Sequence, residues 1–383
     1  MFAYKTLDDF EFNGKTVILR ADLNSDFANK KLIESERIKE SAKTISELKK
    51  KKAKVVIIAH QGRKGERDFA SLRQHSKFLN KYTKVKYVND IAGEKAVNEI
   101  KNLKPGEALL LENIRYLDDE LNPEKKGNKI IKTLMPLADI YINDAFSNSH
   151  RNHTSMTAFP KFLSSGIGRV MQKEIEALEK IRLKDSLYIL GGAKPEDNIK
   201  LLKHNNVLAC GLFGQLCIIA RGKNLGAQNR YLKTTLYMTK ELKPKLNSKV
   251  YTPIDFAVKI NGKREEILLE NFPSKYEIFD IGQLTINKFI EEIKQAKSIY
   301  MKGPAGFCAD KNFCKGTFSI LKAISENRNC FSVIGGGHLN DAIKHSGIDK
   351  NKFNHISLSG GALLNFLAGE KLPGLEALRR GRI

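Results

Sequence analysis

Short apolar runs rich in β-branched residues recur along the chain: KTVILRADLN, AKVVIIAHQG, EALLLENIRY, ADIYINDAFS, DSLYILGGAK, NVLACGLFG, SIYMKGPAG and CFSVIGGGH. They are continuous rather than alternating, the pattern of strands buried on both faces. Between most of them lie segments of helical period, such as RIKESAKTISELKKK and NKFIEEIKQA. That alternation predicts an α/β fold with parallel sheets covered on both sides by helices. In open parallel sheets ligands bind beyond the carboxyl ends of the strands, so function is sought there.

The predicted strand ends differ between the two halves. Up to about residue 160 they carry Asp22 and Asn24, His60 and Arg63, Arg115, and Asn143, Asp144, His150 and Arg151. A planar guanidinium grips two oxygens at once, which suits a small phosphorylated or carboxylated molecule. From residue 187 to 365 the ends carry glycine: Gly191 and Gly192, Gly211 and Gly214, Gly303 and Gly306, and Gly335 to Gly337. Missing Cβ atoms let backbone N–H groups approach a polyphosphate or a base. The first half therefore reads as a small-anion site and the second as a nucleotide site. Between them GRVMQKEIEALEKIRLKDS, residues 168–186, places Met171, Ile175 and Leu178 at helical spacing. It reads equally as a helix joining two domains or as a covering helix within one.

Size and charge fit this division. At roughly 150 residues per domain, 383 residues imply two or three domains. The 66 Lys and Arg against 43 Asp and Glu give a net charge of +23, an attraction for anions that does not choose among nucleotides, metabolites, nucleic acid or lipid. No apolar run is long enough to span a bilayer, and MFAYKTLDDFEF has neither the basic nor the apolar region of a secretory signal. The cluster KKKKAK at residues 49–54 reads as a solvated helix end. The five cysteines, Cys210, Cys217, Cys308, Cys314 and Cys330, show no C-x-x-C and lie in apolar surroundings, so free buried thiols in a reducing compartment are expected.

One stretch carries more specific chemistry. YILGGAKPEDNIKLL runs a strand into Gly191-Gly192-Ala193-Lys194, then Pro195 and a helical pattern with Glu196 and Asp197 in its first turn. It lacks the spacing of a Walker loop. Backbone donors at a helix start, with a mobile ammonium beside them, suit a charge that moves, as in phosphoryl transfer. Alone it reads first as a tight strand-to-helix turn. SVIGGGHLNDAI repeats the grammar.

These motifs, in order, resemble phosphoglycerate kinases over essentially the whole chain: ILRADLN, SERIKES, IIAHQGR, LLENIRY, YINDAFSNSHRNH, LGGAKPED, MKGPAG, SVIGGGH and SGGALLNFLAGEKLPGLEAL. The wording of MKGPAG and GGGH is closer to the archaeal branch. The resemblance implies two doubly wound, Rossmann-like domains: 1–168 for 3-phosphoglycerate, a joining helix 169–186, 187–365 for nucleotide, and 366–383 returning to the first domain. It implies reversible, magnesium-dependent phosphoryl transfer between 1,3-bisphosphoglycerate and ADP, giving 3-phosphoglycerate and ATP, by a cytoplasmic monomer that closes on a hinge near Ser359, Gly360 and Gly361.

By motif position, the resemblance assigns substrate binding to Asp22, Leu23, Asn24, Arg37, His60, Gln61, Gly62, Arg63, Arg115, His150 and Arg151. It assigns nucleotide binding to Gly191, Gly192, Lys194, Gly211, Gly303, Asp310, Gly335, Gly336, Gly337 and His338. Arg37, Lys194 and Gly337 are the expected catalytic positions. The chain departs from the family pattern where a second lysine gives way to Asn198, where an aspartate gives way to His338, and where a ribose-binding glutamate gives way to Ala309 beside Asp310. Magnesium, arriving as Mg-ATP or Mg-ADP, is then left to Asp197 or Asp341. Two rivals are a nicotinamide-dependent dehydrogenase, which should show an early G-x-G-x-x-G, and a basic protein that binds nucleic acid or nucleotide without kinase activity. Neither signature is present, and neither a membrane nor a nucleic acid is expected as partner.

Overall fold

Each apolar run folds as a strand in the computed structural model, which describes residues 3–182, 185–202 and 206–380. In chain order the strands are β1 (Thr16–Ala21), β2 (Phe27–Ala28), β3 (Lys31–Leu32), β4 (Lys54–Ile58), β5 (Lys86–Tyr87), β6 (Ala108–Leu110), β7 (Ile140–Asp144), β8 (Ser164–Ile167), β9 (Leu187–Leu190), β10 (Asn206–Ala209), β11 (Val250–Tyr251), β12 (Asp255–Ile260), β13 (Lys263–Leu268), β14 (Ile278–Ile281), β15 (Ser298–Lys302), β16 (Phe331–Gly335) and β17 (His355–Ser357). The chain forms two compact units, one of residues 1–176 and 370–383, the other of residues 177–369.

In the first unit six parallel strands lie in the order β5-β6-β4-β1-β7-β8. Residues 17–21 of β1 and all of β7 are buried, which explains their unbroken apolar runs. The helix Glu36–Lys50 covers one face with Ile38, Ala42, Ile45 and Leu48, part of a core that includes Leu19, Ile57 and Ile142. Its last turn carries Lys49 and Lys50, compatible with the negative end of the helix. In the second unit the order is β11-β10-β9-β15-β16-β17, again parallel. In both sheets the chain builds to opposite sides of a central pair: β4, β5 and β6 lie on one side of β1 and β7, with β8 on the other, and β10 and β11 lie on one side of β9 and β15, with β16 and β17 on the other. Ligand crevices of doubly wound folds form at such switch points.

The sequence reading missed an antiparallel sheet, β13-β12-β14, packed around Phe256, Val258, Phe272 and Ile278. β13, KREEIL, is too charged and exposed to read as a strand. The helix Arg169–Arg182 buries Met171, Ile175 and Leu178 as its spacing requires, and the unit boundary falls inside it, at 176/177. Residues 183 and 184 of the expected joining segment, and 381–383 of the C-terminal one, lie outside the described residues. Phe366 and Leu367 complete the buried face of the helix Gly361–Leu367 and stay with the second unit. The C-terminal helix Pro373–Arg380 belongs to the first unit, where Gly374 N–H donates to the Ser149 carbonyl at 2.9 Å.

Candidate active site

The first unit gathers its cations at the ends of β1, β4, β6 and β7. Arg20, next to last in β1, is 1% exposed. Its Nε donates to Ser155 Oγ at 2.8 Å, its Nη1 to the Ala21 carbonyl, and its Nη2 lies 2.9 Å from His60 Nδ1. A guanidinium has no acceptor, so His60 accepts at Nδ1 and carries its proton on Nε2. Burial, then the charges of Arg20 and Arg115, hold the His60 pKa well below the usual value, so the ring is a neutral N–H donor. Glu120, fully buried, stands behind Ser155, its oxygens accepting from Ser155 Oγ at 2.7 Å and Ser155 N at 2.9 Å; burial raises its pKa and the charge of Arg20 opposes that rise.

Around this centre stand the residues expected from the motifs. Arg115 lies on a turn capped by Asn113, and its Nη1 donates to the Gly62 carbonyl. Burial first, then the charges of Arg151 and Arg20, press the Arg115 pKa down to about 9. Arg151 is lowered by burial and then by Arg63 and Arg20, and His150 by burial and then by Arg151. His153 falls to about 3, from burial and from Arg115, Arg151 and Arg20. Cations gathered this closely in a partly buried cluster suit an anionic ligand.

Arg37, at the start of the helix Glu36–Lys50, donates to the Asn24 carbonyl at 3.1 Å and lies 3.4 Å from Asp22. Asp22 also accepts from Ser147 Oγ at 2.5 Å, and Asn24 Oδ1 accepts from Gly62 N at 2.8 Å. These short polar groups lace the strand ends together. Leu23 is buried in the core and Gln61 spends its side-chain amide on Ser25 and the Asp68 carbonyl, so both brace the loops. Arg20 and His153 were quoted within motifs yet not singled out. For Arg20 the available signal is a lone arginine amid apolar strand residues.

In the second unit the glycine turns behave differently from the expectation. A Cβ on Gly191 would stand 2.4 Å from the Pro304 carbonyl oxygen, one on Gly303 2.6 Å from the Gly191 oxygen, and one on Gly211 2.8 Å from Gly192 N. A Cβ on Gly214 or Gly306 would likewise strike backbone or Asp280. At Gly191, Gly211 and Gly303 the packing of one turn on another is by itself enough to require glycine. Gly336, at φ +108°, and Gly337 face open space, with nothing within 4 Å of an added Cβ. They open the helix Gly337–Ser346, whose first N–H groups follow Gly335 at the end of β16.

Lys194 is exposed on the turn between β9 and the short helix Glu196–Ile199, with Pro195 in the capping position. Asn198 is fully buried and donates to the Gly191 carbonyl at 3.0 Å. Asp310 pairs with Lys259 at 2.9 Å and caps the following turn. His338 is exposed, and Asp341 lies 3.8 Å from Lys344. Among the described residues no group of three His, Cys, Asp or Glu could hold a metal.

The cysteine expectation needs correction. Cys308 and Cys314 form a disulfide across a separation of six residues, on the loop after Gly306, while Cys210, Cys217 and Cys330 are free and buried. The loop folds back so that both sulfurs meet, which C-x5-C spacing does not announce.

A doubly wound chain with one arginine cluster and one strand end open to helix N–H groups fits the class of proteins that bind phosphorylated ligands. The phosphoglycerate kinase family model matches residues 7–370. The phosphoglycerate kinase of Methanothermus fervidus is 38% identical, covering 100% of this chain and 98% of its own, and that of Sulfurisphaera tokodaii is 41% identical, covering 97% and 95%. The crystal structure of phosphoglycerate kinase from Pyrococcus horikoshii OT3 superposes with a TM-score of 0.87 at 36% identity, covering 97% of this chain and 98% of that one. The phosphoglycerate kinase structure from Coxiella burnetii gives 0.84 at 27%, covering 99% and 100%. The chain belongs to the phosphoglycerate kinase family and is a phosphotransferase; the reading as a binding protein without kinase activity finds no support.

Proposed function

We propose that the first unit binds 3-phosphoglycerate or 1,3-bisphosphoglycerate and that the second binds ATP or ADP. The observation that carries this is the buried Arg20–His60 centre, with Arg115 and Arg151 around it and the pKa values of His60, Arg115, Arg151, His150 and His153 all lowered. A phosphate oxyanion arriving there relieves that repulsion and accepts the His60 Nε2–H. Arg63, exposed at the rim, and His150 complete the grip on the phosphate that does not react. Asp22, Asn24 and Arg37 stand at the glycerate end, where Arg37 exchanges its Asp22 contact for the transferring phosphoryl.

On the nucleotide side the N–H groups of Gly337 and His338 receive phosphate oxygens, and Lys194 follows the moving group. The walls built by Gly191, Gly192, Gly211, Gly303 and Gly335 shape the crevice, and Asp310 takes a ribose hydroxyl in exchange for Lys259. An acyl phosphate is already activated and a carboxylate is already a nucleophile, so the chain needs no base. Its work is positioning and neutralising charge on the transferring oxygens. Magnesium fits as part of the nucleotide. The described residues offer single carboxylates, Asp197 or Asp341, which suit an ion that keeps its waters and its phosphate ligands. When bound it neutralises phosphate charge.

Transfer also requires both ligands to come within reach of each other, and we assign that to hinge motion at the helix Arg169–Arg182 and at Ser359 to Gly361. Compaction in small-angle scattering when both ligands are present is the expected sign, and its absence counts against the hinge. A cytoplasmic monomer follows from the family role; among the described residues no helix is long and apolar enough to cross a membrane. The direct test is a coupled assay with 3-phosphoglycerate, ATP and magnesium. Wild type turns over, and Arg37→Ala and Lys194→Ala each lose about a hundred- to a thousandfold in kcat. Full activity in either variant refutes its role.

A further inference from the structure

The nucleotide crevice has a second ammonium that no motif singled out. Lys302 is the last residue of β15, one of the two central strands at the switch point. In the sheet register it stands between Leu190 at the end of β9 and Gly335 at the end of β16. Its neighbours on either side are therefore the two strands that run into the Gly191–Lys194 turn and the Gly335–Gly337 turn. Its carbonyl accepts from Gly191 N at 2.7 Å, which fixes its backbone to the base of the lysine-bearing turn.

Its side chain is 15% exposed, and Nζ lies 2.9 Å from Asn198 Oδ1 and 3.2 Å from Asp197 Oδ2. Both acceptors belong to the helix that follows Lys194. Two acceptors are seen among the described residues for an ammonium with three N–H donors. Asn198 is itself locked by the Gly191 carbonyl, so the amide orients the ammonium from below. Asp197 is 38% exposed, so its half of the pairing can open toward solvent.

We infer that Lys302 is a phosphate-binding residue: held by Asn198 and Asp197 in the free protein, it turns its ammonium to the nucleoside diphosphate and works with Lys194. An ion pair kept for packing alone needs no place at the switch point. This rests on the nucleotide site proposed above.

The test measures ADP binding by calorimetry in EDTA, without metal, on the full chain. Wild type and Lys302→Met are compared with Lys194→Ala and with the exchanged pair Asn198→Lys/Lys302→Asn, alongside coupled kinetics and melting temperatures. Lys302→Met should weaken ADP about ten- to a hundredfold while leaving the KM for 3-phosphoglycerate within about twofold, and the exchanged pair should recover most of the loss. Wild-type ADP affinity in Lys302→Met, with or without a lower melting temperature, overturns the inference, and does so alone if Lys194→Ala still loses binding. Failure of the wild type itself to bind ADP removes the nucleotide-site reading and this inference with it.

Discussion

The two strand-end regions reach anion affinity by opposite means. In the first unit the means is side-chain charge: Arg20 and His60 are buried, Arg151 and Arg20 depress the Arg115 pKa, and Arg63 and Arg20 depress that of Arg151. In the second it is backbone: Gly336 and Gly337 leave the first turn of the helix Gly337–Ser346 uncovered. A small phosphate of fixed shape rewards a rigid cationic cage. A polyphosphate that changes length during reaction is better served by donors that need no repositioning.

The largest effect expected from this contrast lies in the cage. Arg20→Met leaves Glu120 buried without its counter-charge and should cost about 3–5 kcal/mol in urea unfolding. Arg20→Met with Glu120→Gln should recover part of that, whereas Lys194→Ala, an exposed site, should change stability little.

A pH effect of about 3 kcal/mol is expected next, from His75. The ring lies buried beneath the His60–Gln61 loop, with Nε2 3.0 Å from Gln61 Oε1, and desolvation holds its pKa at about 4 against the ordinary 6.5. The unfolded chain binds the proton first, so this contribution is complete above pH 6.5 and is lost as pH falls toward 4. His75→Gln should flatten the fall in melting temperature across that window. An unchanged slope would show that His75 is not a source of it.

The smallest effect separates the two kinds of glycine. Gly191→Ala should cost about 1–3 kcal/mol, because the new methyl group meets the Pro304 carbonyl. Gly337→Ala meets nothing, so the fold should be unaffected and the ADP affinity should bear the change. Equal melting temperatures for the two variants would contradict the distinction.

How much of this was legible beforehand follows from what each feature depends on. Strands buried on both faces announce themselves by continuity, so KTVILRADLN and SIYMKGPAG were read as strands. Arg63, Arg115 and Arg151 were found because they follow such strands in recognisable motifs, and the structure brings them to one cluster. Arg20 and Lys302 escaped because a single cation at the end of an apolar run looks like the strand's exit to solvent. Their partners, Ser155 and Asp197, are 135 and 105 residues away in sequence. The sequence shows the glycines but not that Gly191, Gly211 and Gly303 accommodate each other's turns, which depends on strands far apart in the chain. The β12–β14 sheet and the Cys308–Cys314 bridge depend on chain reversals that local composition does not encode.

The division of labour between the units is tested most directly by calorimetry on the full-length Arg151→Ala variant, titrated separately with 3-phosphoglycerate and with ADP. The account predicts that 3-phosphoglycerate binds at least about tenfold more weakly while ADP binds as to the wild type. A variant that loses ADP affinity instead, or loses both together while remaining folded, would contradict it.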